Sequence, residues 1–153
     1  MATIGIISDT HGLVRPEIRQ LSAPVDCIIH GGDIGKLSVI DELSTIAPIK
    51  AIRGNVDCDE WASQFPDTLE FTYAGKRFFV IHNIKELSSE KSAHQYDVII
   101  SGHSHKPLVE VNQNTLFLNP GSAGPRRFKL PIAVALLQID NDQLTPNIIE
   151  IDV

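Results

Sequence analysis

The sequence predicts an α/β domain of two packed sheets with helices outside, on three observations. Short apolar runs rich in β-branched residues recur up to Ser101. Segments with helical spacing lie between them. Beyond Ser101 the pattern changes to pairs of extended runs joined by short polar turns, a hairpin signature. The apolar runs are Thr3 to Ser8, Cys27 to His30, Ile49 to Arg53, Phe78 to His82 and Val98 to Ser101. Each is nearly continuously hydrophobic, as expected of strands covered on both faces. Between them, Arg15 to Leu21 carries Pro16 near its start, where the fixed φ of proline suits a first helical turn. Leu37 to Ile46 repeats apolar residues at helical spacing and is stopped by Pro48. Ser88 to Tyr96 opens on Ser88-Ser89-Glu90, a helix start. Asn112-Gln113-Asn114 then separates two extended runs, and Asp140-Asn141-Asp142-Gln143 separates Ile132 to Ile139 from Leu144 to Ile151. No linker, repeat or low-complexity segment divides the chain, so one domain over residues 1–153 is expected.

Hydrophobic residues make up 42% of the 153 and charged residues 21%, a globular balance that lets a core form without staples. The net charge of −6 argues against a broad nucleic-acid surface or an anionic membrane. It leaves a small phosphate-ester substrate open, because bound cations supply local positive charge. The start, Met1-Ala2-Thr3-Ile4, lacks the basic segment and cleavage pattern of a secretory leader, and no apolar stretch is long enough to span a bilayer. Cys27 and Cys58 form neither a disulfide framework nor a metal-finger spacing, so two reduced thiols in a cytoplasmic protein are expected. The apolar final hairpin suits core and an interface between copies equally, which leaves a homo-oligomer open.

The polar residues gather where the strands stop. Strand one runs into Ser8-Asp9-Thr10-His11-Gly12, the second into His30-Gly31-Gly32-Asp33, and the third into Arg53-Gly54-Asn55-Val56-Asp57. Phe78 to Ile81 runs into His82-Asn83, and Val98 to Ser101 into Gly102-His103-Ser104-His105. In open α/β sheets the rim beyond the C-terminal strand ends is where ligands bind. Any one of these segments alone reads as a turn. Together they supply two carboxylates (Asp9, Asp33), four imidazoles (His11, His82, His103, His105) and one amide oxygen (Asn55). That is the mixed nitrogen and oxygen donor set of a dinuclear metal site, with a carboxylate available to bridge.

In this order, Asp9-x-His11, Gly32-Asp33, Gly54-Asn55, His82 and Gly102-His103-Ser104-His105 resemble the calcineurin-like metallophosphoesterase superfamily. The short chain and Asn119-Pro120-Gly121-Ser122 resemble its small YfcE-like phosphodiesterase branch. The resemblance implies a four-layer α/β/β/α sandwich of two mixed sheets flanked by helices, with the metals on one rim. It implies two divalent metal ions, manganese first, with iron, nickel, cobalt and zinc suited to the same donors. On the family pattern, Asp9, His11 and His105 hold one ion, Asn55, His82 and His103 hold the other, and Asp33 bridges them. Asp33, Asn55 and His103 are then the residues expected to act at the reacting phosphate.

Three positions depart from that pattern. Val56 stands where strong phosphatases of the family carry a proton-donating histidine directly after Gly-Asn. Lys36 replaces a frequent acidic residue, and Asn83-Ile84 follows His82 where glycine is more usual. The first departure limits the chemistry. A hydroxide bridging the two metals would attack phosphorus in line, but the leaving oxygen loses the 10²–10⁴-fold typical of general-acid help. Diesters with good leaving groups are therefore the expected substrates. The alternatives are a phosphomonoesterase with its acid supplied elsewhere, and a catalytically weak scaffold of the same fold that binds protein partners.

Other polar residues invite weaker readings. His30 suits a packed core histidine and an orienting partner of Asp33 equally. His94 reads as solvated and Cys58 as an inert thiol. Arg126 or Arg127, with Ser122, is a candidate substrate contact or a surface charge. Trp61 and Phe65-Pro66-Asp67 carry no evident chemistry.

Overall fold

The computed structural model describes residues 1–21, 25–87, 95–127 and 129–152. Along the chain lie β1 (Ala2–Ile7), α1 (Pro16–Leu21), β2 (Cys27–His30), α2 (Leu37–Ser44), β3 (Ile49–Ala51), β4 (Thr68–Tyr73), β5 (Lys76–Ile81), β6 (Val98–Ile100), β7 (Leu108–Asn112), β8 (Thr115–Asn119), β9 (Ala133–Asp140) and β10 (Gln143–Glu150). Short 3-10 turns occupy Glu60–Gln64 and Ile84–Glu86. One sheet has the order β10-β9-β1-β2-β3 and the other β4-β5-β6-β8-β7. In the first, β1, β2 and β3 are parallel and β9 runs antiparallel beside β1. In the second, β5, β6 and β8 are parallel, with an antiparallel strand on each edge. Both sheets are mixed, as expected. Pro146 falls in β10, an edge strand, where its missing N–H costs no central ladder bond.

Side chains alternate across a strand, and that period of two builds the layers. Ile4 and Ile6 of β1, Cys27 and Ile29 of β2, Phe78 and Val80 of β5 and Val98 and Ile100 of β6 join one buried cluster between the sheets. The intervening residues face outward. Ile7 and Ile28 pack with Ile18 of α1 and with Val39, Ile40 and Leu43 of α2. Those three α2 residues repeat at one, three and four positions, which puts them on one helical face. On the far side, Phe79, Ile81 and Ile99 pack with Tyr96. The helix expected over Ser88 to Tyr96 falls mostly on 88–94, outside the described residues.

The strand runs read from the sequence recur within a few residues. β4 was not among them. It pairs with β5 through the two-residue turn Ala74-Gly75, both residues at positive φ, a tight hairpin geometry. The two hairpins expected around Asn112-Gln113-Asn114 and Asp140-Asn141-Asp142-Gln143 also form, through two-residue turns at Gln113-Asn114 and Asn141-Asp142 with all four residues at positive φ.

Candidate metal centre

Because β1, β2 and β3 are parallel, the segments that follow them leave the first sheet at one end. There Asp9 N–H donates to the Gly32 carbonyl (3.0 Å), His11 N–H to Asp33 (3.0 Å) and Gly12 N–H to Ile34 (2.8 Å). This ladder lays the Asp9–His11 turn along the Asp33 turn. From the second sheet, Gly102 N–H donates to the His82 carbonyl (2.9 Å), which sets His82 beside the His103–His105 turn. Two close approaches demand glycine. A Cβ at Gly54 would collide with Asp33 Oδ1, and one at Gly102 with Ser8 Oγ and Asp9 Oδ2.

The donor atoms collect into two groups. One atom from each of Asp9, His11 and His105 lies within 4.8 Å of the other two, and the same holds for Asp33, His82 and His103. The groups touch. Asp33 Oδ2 is 3.1 Å from His82 Nε2 and 3.8 Å from His11 Nε2, so it reaches into both. Asp9 Oδ1 is 3.4 Å from His105 Nε2, 3.9 Å from His11 Nε2 and 3.7 Å from His82 Nε2. The rings of His82 and His103 meet edge to face at 5.2 Å. Asn55 is exposed on the rim of a hollow of about 570 Å³ that His82 and His103 also line.

Several details fit these residues to cations. Asp9 Oδ2 accepts from Ser8 Oγ–H (2.8 Å) and from His103 N–H (3.1 Å), while its Oδ1 has no hydrogen-bond partner. His11 Nε2, His82 Nε2 and His105 Nδ1 are likewise buried without one, although His82 Nε2 lies 3.1 Å from Asp33 Oδ2. Buried polar atoms are ordinarily satisfied, so several unpaired in one place point to something that would pair them. His82 Nδ1 donates to the Gly31 carbonyl at 2.7 Å. That leaves Nε2 as the bare nitrogen of a neutral ring, the usual arrangement of a metal-binding histidine.

The electrostatics follow from the crowding. Burial alone would raise the Asp33 carboxyl. The adjoining His82, the Val56 N–H (3.2 Å) and His11 outweigh it and lower the pKa to about 2. Burial alone would depress His82, but Asp33, the Gly31 carbonyl and Asp9 raise it instead.

The backbone is also unusual here. Ten non-glycine residues among those described have positive φ, and five belong to the three hairpin turns. The other five are Asp9 (56°), His11 (47°), Asp33 (56°), His103 (70°) and His105 (63°), all candidate ligands. A left-handed non-glycine residue costs on the order of 1–3 kcal/mol and persists where the surroundings hold it, which is typical of functional sites.

The structure thus brings Asp9, His11, Asp33, His82, His103 and His105 together and sets Asn55 on their rim. It also gives work to residues the sequence reading passed over. Asp57 is buried and accepts from Ile34 N–H (2.9 Å), Gly35 N–H (2.9 Å) and Gly54 N–H (2.8 Å), so it ties the Asp33 turn to the Asn55 turn. Asp67 pairs with Arg53 (2.7 and 3.3 Å), and both line the hollow beside His82. The signal for Asp57 was its place two residues after Asn55, too common a feature to single it out; Asp67, twelve residues after Asn55, had none. Ser122 is buried, donates to the Asp9 carbonyl (3.1 Å) and accepts from Gly124 N–H (3.2 Å). Arg126 lines a different hollow, with Lys129, Glu150 and Asp152. Asn83 caps the Ile84–Glu86 turn by accepting from Lys85 N–H. Cys58 is an exposed free thiol, and His94 lies outside the described residues.

Known proteins resemble this chain along most of its length. The calcineurin-like phosphoesterase superfamily domain matches residues 2–142. A probable metallophosphoesterase of Methanothermobacter thermautotrophicus is 33% identical, over 95% of this chain and 91% of its own. The phosphodiesterase YfcE of Escherichia coli is 29% identical, over 70% of this chain and 61% of its own. Among solved structures, an archaeal phosphodiesterase superposes with a TM-score of 0.82 at 26% identity, over 97% of this chain and 99% of that one. Vps29 of Chaetomium thermophilum shares the fold at a TM-score of 0.79 and 18% identity, over 99% and 97% of the two chains.

Proposed function

Given that the chain belongs to the calcineurin-like phosphoesterase superfamily, we propose that it is a phosphodiesterase working with two divalent cations at the Asp9–His105 rim. The observation that carries this reading is the cluster of buried, unpartnered polar atoms on Asp9, His11, His82 and His105. When bound, the cations supply an activated water and neutralise charge that develops on the phosphate oxygens. Asp9, His11 and His105 would hold one, and Asn55, His82 and His103 the other. Asp33 would reach both ions, because its Oδ2 faces histidines of both groups. Its low pKa, about 2, keeps it a carboxylate at neutral and mildly acid pH.

On the substrate side, the hollow of about 570 Å³ takes the ester group next to His103, between Arg53, Thr68 and Glu86. Val56 is 47% exposed and offers only its backbone N–H, which Asp33 already takes. Position 56 offers no proton donor, so the leaving oxygen departs unassisted or takes its proton from water or another residue. Aryl diesters should exceed alkyl monoesters for that reason.

A protein-binding scaffold is the competing reading, favoured by Val56 and by the fold shared with Vps29. The strained backbone at five candidate ligands weighs against it, since a binding surface gains nothing from that strain. Hydrolysis of a chromogenic bis-aryl phosphate with and without Mn²⁺ separates the two. Metal-dependent turnover, with the diester faster than an alkyl monoester, is expected. Metal-loaded protein inert to both would support the scaffold.

A further inference from the structure

We propose that the buried pair Thr10–His30 is a positioning device that fixes the two metal-ligand turns relative to each other, an inference that rests on the metal-site reading above. His30 ends β2, Thr10 stands between Asp9 and His11, and both are fully buried. Gly32 N–H donates to His30 Nδ1 at 3.1 Å. An amide nitrogen only donates, so Nδ1 is the bare nitrogen and the ring proton sits on Nε2. Nε2–H then donates to Thr10 Oγ1 at 3.0 Å, and the Thr10 hydroxyl donates to the Ile34 carbonyl at 2.8 Å. Each hydrogen in this relay has one direction open to it.

The relay begins and ends on the two neighbours of Asp33 and passes through the one residue between Asp9 and His11. It therefore touches both turns that carry the carboxylates without using a ligand atom. The backbone ladder from Asp9, His11 and Gly12 already sets the spacing of these turns. Within the Asp9–His11 turn, whose two end residues sit at φ 56° and 47°, Ser122 Oγ–H on the Asp9 carbonyl (3.1 Å) and Leu13 N–H on the Thr10 carbonyl (3.0 Å) also hold the peptide units. The Thr10 side chain adds to these an anchor at the middle residue of the turn, tied through His30 to the far side of Asp33. Thr10 fills that role only while His30 keeps its proton on Nε2, because the hydroxyl must stay free to donate to Ile34.

A merely structural histidine that knits β1 to β2 would change stability when cut and leave metal binding alone. The positioning role requires that metal affinity change too, even in a folded variant. The test titrates metal-free wild type, Thr10→Val and Thr10→Ser with Mn²⁺ by calorimetry, with circular dichroism to establish folding. Thr10→Val should weaken Mn²⁺ binding about 10–100-fold, the usual consequence of losing an outer hydrogen-bond partner. Thr10→Ser keeps the hydroxyl and should restore wild-type affinity. Folded Thr10→Val with wild-type affinity overturns the proposal while leaving the metal site standing. Wild type that takes up no Mn²⁺ overturns the metal-site reading and this one with it. Should Thr10→Val not fold, ¹⁵N NMR of wild-type His30 decides the matter: a neutral ring protonated on Nε2 supports the relay, and one protonated on Nδ1 overturns it.

Discussion

The two halves of the candidate centre lie side by side and differ in their surroundings. Around Asp9, His11 and His105 the protein closes in. Asp9 and His105 are buried, and Asp9 is held by Ser8 and by the His103 backbone. Around Asp33, His82 and His103 it opens. His103 and Asn55 are exposed and line the hollow with Arg53, Asp67 and Thr68. The contrast teaches that one half is built to hold and the other to hold while admitting an ester. Asp33 belongs to both, since it faces His11 as well as His82.

The sharpest way to break this division is at its joint. Asp33→Asn should lower kcat by about 10²–10³-fold or more and reduce the bound metal from two ions to at most one. Elemental analysis beside a diester assay reads both. Two ions and full turnover would remove Asp33 as the link.

Acid probes the closed side. Burial pushes the His30 imidazole down from 6.5 to about 4, against the pull of Asp9 and Asp57. Between those values the unfolded chain takes a proton that the folded chain refuses. The His30 contribution to stability is therefore whole above pH 6.5 and is lost as pH drops, at about 1.4 kcal/mol per unit, to a total of about 3 kcal/mol by pH 4. Urea unfolding of metal-free protein across that range measures it, and His30→Gln should flatten the curve in this window.

The open side has room for a gain. Val56→His places an imidazole where the leaving oxygen is expected and should speed hydrolysis of an alkyl monoester by up to about 10²-fold. Unchanged rates would mean that position 56 does not reach the substrate. His105→Ala and His103→Ala then compare the halves with one substitution two residues apart. In metal-free protein the buried His105 should cost about 1–3 kcal/mol and the exposed His103 less than about 0.5 kcal/mol, while both variants lose metal. Asp67→Ala should likewise change stability little, by less than about 1 kcal/mol, because the pair with Arg53 faces water. A rise in KM for the diester with kcat unchanged would place Arg53 on the substrate.

What could be read in the sequence divides along physical lines. The central strands showed because both faces are buried, so nearly every residue of β1, β2, β5 and β6 is apolar. β4 escaped because it is half exposed: Thr68-Leu69-Glu70-Phe71-Thr72-Tyr73 alternates, and its hairpin turn, Ala74-Gly75, carries a single glycine as signal. The six carboxylates and imidazoles showed because they cluster where the apolar runs end. The left-handed backbone at five of them did not, since Asp and His at such φ depend on tertiary bonds that no local pattern encodes. Asp57 was hidden for the same reason, as its partners lie 22 and 23 positions away at Gly35 and Ile34.

The central claim is that two cations share this rim. A crystal grown with excess Mn²⁺ tests it through anomalous scattering. The account predicts two peaks about 3.5–4 Å apart, one bounded by Asp9, His11 and His105, the other by His82, His103 and Asn55, with Asp33 touching both. A single peak, or metal bound away from these residues, would contradict it.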